Sequence, residues 1–170
     1  LMLIVLYRIF FHKNYRLLFP ALTIAIFLPY LYIRLIYANV WFSHISLAPI
    51  ARLEFTERLL NIPGVVFYYL KTFVWPMKLS IIQFWIMEKM DFNSFYFPLL
   101  SLLIFIGLAL YFGRRLYVKN KIDFKLFVFF SVWLVVGVGL YSHLFHLDMT
   151  VSDRWFYFPI IGILGMIALI

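Results

Sequence analysis

Gly113-Arg114-Arg115-Leu116-Tyr117-Val118-Lys119-Asn120-Lys121-Ile122-Asp123-Phe124-Lys125 lies between two apolar runs, Phe95 to Phe112 and Leu126 to Phe145. It holds five basic residues against a single acid, Asp123. Short Lys/Arg-rich segments between hydrophobic spans stay on the cytoplasmic side of a membrane. Residues 113–125 therefore read as a basic cytoplasmic loop joining two membrane helices. A second such segment runs from His12 to Arg16 with Arg8 just before it, and it has three basic residues and no acid. The remaining acids (Glu54, Glu57, Glu88, Asp91, Asp148, Asp153) are balanced by Arg52, Arg58, Lys71, Lys78, Lys89 and Arg154. The formal charge of +8 thus resides in the two basic segments and in Arg34, which stands inside an apolar run.

A chain that is 66% hydrophobic, 22% aromatic and 13% charged cannot cover a soluble core of its size with polar surface. Its basic excess flanks apolar segments and forms no stripe along a polar helix, so no nucleic-acid partner is expected. Without cysteine there is neither a disulfide framework nor thiolate chemistry. Both ends lie in apolar runs, Leu1 to Phe11 and Phe156 to Ile170, and the chain reads as a piece of a longer polytopic protein.

A crossing helix needs roughly 20 apolar residues. Leu17 to Ala38, Phe95 to Phe112 and Leu126 to Phe145 qualify; Leu1 to Phe11 and Phe156 to Ile170 read as truncated spans. The expected fold is an all-α, single-domain membrane bundle over residues 1–170, with about four to five spans. Asn61 to Ser80 is also apolar, and counting it as a span would set the two basic loops on opposite sides. Pro63 suits the first turn of a helix and Pro76 stops one near Val74 or Trp75. That leaves about 13 residues, or about 20 Å, too short to cross. Tyr68, Lys71, Thr72 and Trp75 share one face, with Val66, Leu70, Phe73 and Val74 opposite, the pattern of a helix lying in the interface plane. Ile81 to Met90 reads as a second, shorter interfacial piece. Residues 39–94 become one extracytoplasmic excursion that hugs the bilayer.

Such a loop suits a site where lipid headgroups meet water. Arg52, Arg58, Lys71, Lys78, Lys89 and Arg154 are its cations, and two or three of them could hold a lipid-linked phosphate. Arg52, Arg58, Glu54 and Glu57 also fit a solvated helix face laced with ion pairs. Arg154 differs, because Asp153 and the Trp155-Phe156-Tyr157 cluster flank it at the mouth of a span. His143 and His146, three residues apart with Asp148 and Asp153 following, could share a metal, donate to loop carbonyls or serve as interfacial aromatics. Arg34 can snorkel to the headgroups. Gly137 and Gly139 allow close helix approach. No nucleophile elbow, phosphate-binding glycine loop or zinc-protease motif occurs.

Two stretches carry a resemblance. Arg58-Leu59-Leu60-Asn61-Ile62-Pro63, running into Tyr68-Tyr69-Leu70-Lys71 and Trp75-Pro76-Met77-Lys78-Leu79-Ser80, is similar to a segment of the transmembrane-and-TPR-repeat O-mannosyltransferase family and its bacterial relatives. Asp153-Arg154-Trp155-Phe156-Tyr157-Phe158-Pro159-Ile160-Ile161-Gly162 resembles that family's Glu-Arg-Tyr-x-Tyr-x-Pro-Ser-x-Gly stretch. The resemblance covers about Ala51 to Ile170. It departs at Asp153 (Glu in the family), at Ile160 (Ser) and in the absence of a TPR repeat.

The resemblance implies a GT-C class glycosyltransferase, a multi-span protein of the bacterial inner membrane or endoplasmic reticulum. Such enzymes take a sugar from a polyprenyl-phosphate carrier on the extracytoplasmic face. Tyr68, Tyr69, Pro76 and Leu79 match the family's interfacial loop, and Asp153 with Arg154 matches its Glu-Arg pair. The catalytic acid of the class sits in a first outer loop that these residues do not include, so no catalytic residue is assigned. Arg154, Lys71, Asp153 and Arg58 are the expected lipid-phosphate and donor-binding residues. Expected partners are membrane lipids, the polyprenyl-phosphate sugar and, in the full-length chain, a TPR domain. No cofactor is expected here, with a divalent metal left open for the rest of the full-length protein. Two other functions fit the composition: a transporter or flippase for a lipid-linked saccharide, and a non-catalytic membrane anchor or assembly subunit.

Overall fold

The computed structural model describes residues 18–33, 36, 49–77, 79–87, 90–144, 147 and 149–170. The expected features at Leu1 to Arg16, Arg34, Lys78, Glu88, Lys89, His146 and Asp148 lie outside them. The chain is mostly helical, and no strand occurs among the described residues. It divides into two compact units, residues 1–44 and 45–170.

In the first unit, helix α1 (Leu18–Tyr32) falls within the span expected at Leu17 to Ala38 and contains Pro29. Ile24, Ile26, Phe27 and Leu28 are all exposed.

Among its described residues the second unit holds four α-helices: α2 (Phe55–Val74), α3 (Phe97–Lys119), α4 (Lys121–Tyr141) and α5 (Asp153–Ile167). The segment Phe92–Lys119, which is α3 with the helical turn before it, and α4 are both long and apolar enough to cross a membrane. Many of their apolar side chains face outward, as with Leu110 at 70% and Val135 at 69% exposure. A soluble protein's core helix would bury those residues, so lipid is the solvent this surface fits.

The stretch expected as a loop over residues 113–125 is helical on both sides of one residue. Asn120 has an extended backbone and ends α3 through its N–H on the Leu116 carbonyl, 2.8 Å away. Its Oδ1 accepts the Ile122 N–H at 2.9 Å and its Nδ2 donates to Asp123 at 2.8 Å, which starts α4. One side chain thus caps two helices, and the basic residues ride on the helix ends.

Helix α2 departs from expectation at its start. It begins at Phe55 and runs for 20 residues, with Pro63 deep inside it and not in its first turn. Glu57 reaches back to accept the Glu54 N–H at 3.1 Å, closing the first turn upstream of the proline. Pro63 cannot donate to the Leu59 carbonyl, an interior cost of roughly 3 kcal/mol. Packing of Val65, Val66 and Tyr69 on the flanking turns holds the helix through it. Trp75 and Pro76 end α2 as expected, with the Trp75 N–H on the Lys71 carbonyl at 2.7 Å. At about 30 Å, α2 is not too short to cross. Its charges, Glu57, Arg58 and Lys71, set it apart from the two apolar spans.

No helix forms over 81–87. The chain there is extended and bridged at Gln83 to Val151. Thr150 Oγ donates to the Trp85 carbonyl at 2.7 Å and accepts the Trp85 N–H at 3.1 Å, while Ser152 Oγ donates to the Ile81 carbonyl at 2.7 Å. Thr150, Val151 and Ser152 are fully buried.

Helices α4 and α5 share the largest interface. Between lipid-facing helices the driving force is close packing and not the hydrophobic effect. A Cβ on Gly162 would lie 2.8 Å from the Phe130 carbonyl oxygen and the Leu134 backbone nitrogen, so only glycine fits. Gly137 serves similarly against Pro159, whereas Gly139 meets nothing within 4 Å. The core lies where Val65 and Tyr69 of α2 meet Phe127 and Leu134 of α4 and Phe156, Ile163 and Met166 of α5. Tyr69 stacks on Phe156 with centroids 5.2 Å apart.

Candidate functional site

Helices α2, α3, α4 and α5 enclose an apolar groove of about 540 Å³. Phe67, Leu70 and Phe73 of α2, Leu108 and Phe112 of α3, and Met166 of α5 form much of its wall. Lys71 is the one charged residue among the described residues that line it. Leu70, expected to face lipid on the outside of an interfacial helix, turns inward to this wall.

A smaller cleft of about 250 Å³ adjoins, of mixed character, with Asn61, Tyr68, Asn93 and Ser94 beside Trp85 and Met87 among its residues. Lys71 lines both cavities. Its ammonium is exposed and carried on a flexible stem, a point charge that a phosphate oxygen can approach. An amphiphile with an anionic junction between tail and headgroup matches that layout.

One turn before Lys71, Tyr68 joins three segments. Its hydroxyl donates to Asp153 Oδ1 at 2.6 Å and accepts from Gln83 Nε2 at 2.9 Å. The other Asp153 oxygen accepts the Ser80 N–H. Burial, then the hydrogen bond to Asp153 and the charge of that carboxylate, push the Tyr68 hydroxyl up to about 12, so it stays protonated and donates. Asp153 is therefore a clasp between α2, the extended segment and α5.

The four expected donor-binding residues do not converge. Asp153 faces Tyr68 and Ser80, and no ion pair joins it to Arg154. Arg154 is exposed in the first turn of α5 and lines neither cavity. Arg58, expected on a solvated face, is buried at 8% exposure, with its guanidinium carbon 5.6 Å from the Phe55 ring centre. It sits 13 residues before Lys71 on one helix, about 20 Å away, so the two cannot grip one phosphate.

Among the described residues no cluster of three His, Cys, Asp or Glu side chains could hold a metal. Sequence reasoning missed Gln83 and Ser80. Gln83 left a trace as a lone amide in an apolar run; the Ser80 contribution is a backbone N–H and left none.

No family model, curated protein or solved structure matches this chain.

Proposed function

We propose that this chain is the lipid-binding part of a multi-pass GT-C-type glycosyltransferase that uses a polyprenyl-phosphate-linked sugar at the extracytoplasmic face of a membrane. The observation that carries it is the position of Lys71, shared by an apolar groove and a smaller cleft that also offers Asn61, Asn93 and Ser94. The isoprenoid tail occupies the groove, the phosphate meets Lys71, and the sugar enters the cleft. The similarity of Arg58 to Ser80 and of Asp153 to Gly162 to the O-mannosyltransferase family supports the same reaction class.

Within that reaction the leaving group is a phosphate, and a fixed cation beside it stabilises the charge that develops as the sugar departs. Lys71 supplies this cation. The base that activates the acceptor belongs to another part of the full-length protein.

Donor affinity of the full-length enzyme in nanodiscs tests the assignment. A charge-assisted contact contributes on the order of 1.5–3 kcal/mol, and the exposure of Lys71 places it at the low end. Lys71→Gln is expected to weaken donor binding about 10-fold while leaving thermal stability unchanged. Unchanged affinity in Lys71→Gln contradicts the assignment. Donor binding accompanied by lipid transbilayer movement and no sugar transfer would indicate a flippase.

A further inference from the structure

We propose that the groove between α3 and α4 binds an anionic glycerophospholipid of the cytoplasmic leaflet, with an acyl chain between the helices and the phosphate between Arg114 and Lys121. The groove holds about 490 Å³. Ile106 and Leu110 of α3 line one side, and Val128, Val132 and Val135 of α4 the other. Ser131 is the one uncharged polar residue among the described residues that line it, and its hydroxyl donates to the Phe127 carbonyl at 2.8 Å. The wall thus asks only for apolar contact along its length. Its shape follows from the connections. A single extended residue, Asn120, joins the two helices and brings their ends together. At Gly113 a Cβ would lie 3.3 Å from the Phe127 ring, so the helices touch there. Beyond that point α4 is held against α5, where Gly162 seats on the Phe130 and Leu134 backbone. A gap between α3 and α4 is left open over about 10 Å from Gly113 to Ile106.

Arg114 is the one charged residue among the described residues that line the groove. It follows Ile106 and Leu110 at four-residue steps, on the same face of α3, and so extends their wall to the Lys/Arg-rich end. Lys121 stands three and seven residues before Phe124 and Val128, which both line the groove, and so shares their face of α4. Two exposed cations therefore flank the mouth. The acid nearest in sequence, Asp123, is occupied in accepting from Asn120 Nδ2 at 2.8 Å. The charge bias of residues 113–125 sets this end at the cytoplasmic leaflet, where anionic headgroups gather. An arginine grips a phosphate with a fork of donors and a lysine adds a point charge. A zwitterionic lipid would bring its own ammonium beside the same two cations and lose much of that attraction. The combination of an apolar slot and paired cations at one end selects an anionic lipid.

This site is distinct from the groove that Lys71 lines. Phe105 and Phe127 are among the residues common to both walls, but Leu108 and Phe112 of α3 line the first groove, and Ile106 and Leu110 the second. Tyr141, the last residue of α4, stacks on Trp155 beside Asp153. Lys121, at the other end of α4, therefore lies about 30 Å from the clasp of Tyr68 and Asp153. The site depends on α3 and α4 lying in a membrane and not on the transferase reaction.

Native mass spectrometry of the full-length protein, delipidated in a non-ionic detergent and titrated with single lipids, tests it. The first phosphatidylglycerol is expected to bind at least about 10-fold more tightly than phosphatidylcholine of the same chains, each cation giving about a 5-fold gain beside an anionic headgroup. The double variant Arg114→Gln/Lys121→Gln, at exposed positions, should bring phosphatidylglycerol down to the phosphatidylcholine affinity. Val132→Phe fills the groove without touching the charge and should weaken phosphatidylglycerol several-fold; Val128→Phe repeats the block one turn nearer the mouth. Equal affinities of the parent for the two lipids overturn the proposal. So does a preference for phosphatidylglycerol that survives the double variant. A phosphatidylglycerol affinity left unchanged by both Val132→Phe and Val128→Phe also overturns it, because that is the result expected where basic side chains attract anionic lipid to the surface alone. Displacement of bound phosphatidylglycerol by equimolar polyprenyl phosphate would instead assign the groove to that lipid, against the proposal.

Discussion

Substituting Asp153 tests whether its carboxylate holds the fold together or serves only as a companion to Arg154. Asp153 accepts the Tyr68 hydroxyl at 2.6 Å and the Ser80 N–H, joining α2, the extended segment and α5. Hydrogen bonds to a charged group contribute about 1.5–3 kcal/mol each. Asp153 is half-buried, so water recovers part of the loss, and Asp153→Ala is expected to cost about 2–4 kcal/mol. Tyr68→Phe removes one of the two bonds and should cost about 1–2 kcal/mol. The double mutant should cost less than the sum, with a coupling of about 1 kcal/mol, because both changes delete the same contact. Arg154→Ala, at an exposed position with no ion-pair partner among the described residues, should stay within about 0.5 kcal/mol. Reversible unfolding in mixed micelles, monitored by tryptophan fluorescence, measures all four. Asp153→Ala indistinguishable from Arg154→Ala would refute the clasp.

The helix interface gives a paired contrast. Gly162→Ala drives a methyl into backbone atoms of α4 2.8 Å away and should destabilise by about 2 kcal/mol or more, whereas Gly139→Ala meets open space and should stabilise α4 by up to about 1 kcal/mol; equal unfolding midpoints would contradict the interface. The hydroxyl of Tyr68 sets an alkaline limit. Its folded value, about 12, lies above the unfolded 10.0, so the folded state holds the proton longer. Stability is fully present below pH 10 and falls as pH rises from 10 toward 12. Tyr68→Phe should flatten that decline in a pH-dependent melting series, and an unchanged slope would remove Tyr68 as its source.

What the sequence made legible was the part encoded locally. The apolar runs on either side of Gly113 to Lys125 announced α3 and α4, and Pro76 announced the end of α2. The start of α2 was hidden because glutamates cap it, where Ser, Thr, Asp or Asn is the usual signal. Pro63 then looked like a first-turn proline, although packing carries the helix through it. The extended path of residues 80–87 was illegible for a different reason: its partners, Thr150 to Asp153, lie about 70 residues away in the chain. The candidate site was half legible. Lys71 was picked out as a cation at an apolar boundary, and the groove bears on it. The burial of Arg58 depends on tertiary packing that no local pattern of alternating charges could reveal.

The most direct measurement of the central claim is photo-crosslinking of a diazirine-bearing polyprenyl phosphate to the full-length protein, with peptides mapped by mass spectrometry. A probe with the diazirine on an isoprene unit near the phosphate should label Leu70, Phe73 and Leu108, the groove beside Lys71. Lys71→Gln should reduce that labelling about 10-fold at subsaturating probe, with excess unlabelled polyprenyl phosphate abolishing it. Labelling spread along the exposed faces of α3 and α4, insensitive to both competitor and Lys71→Gln, would contradict a lipid-phosphate site in this groove.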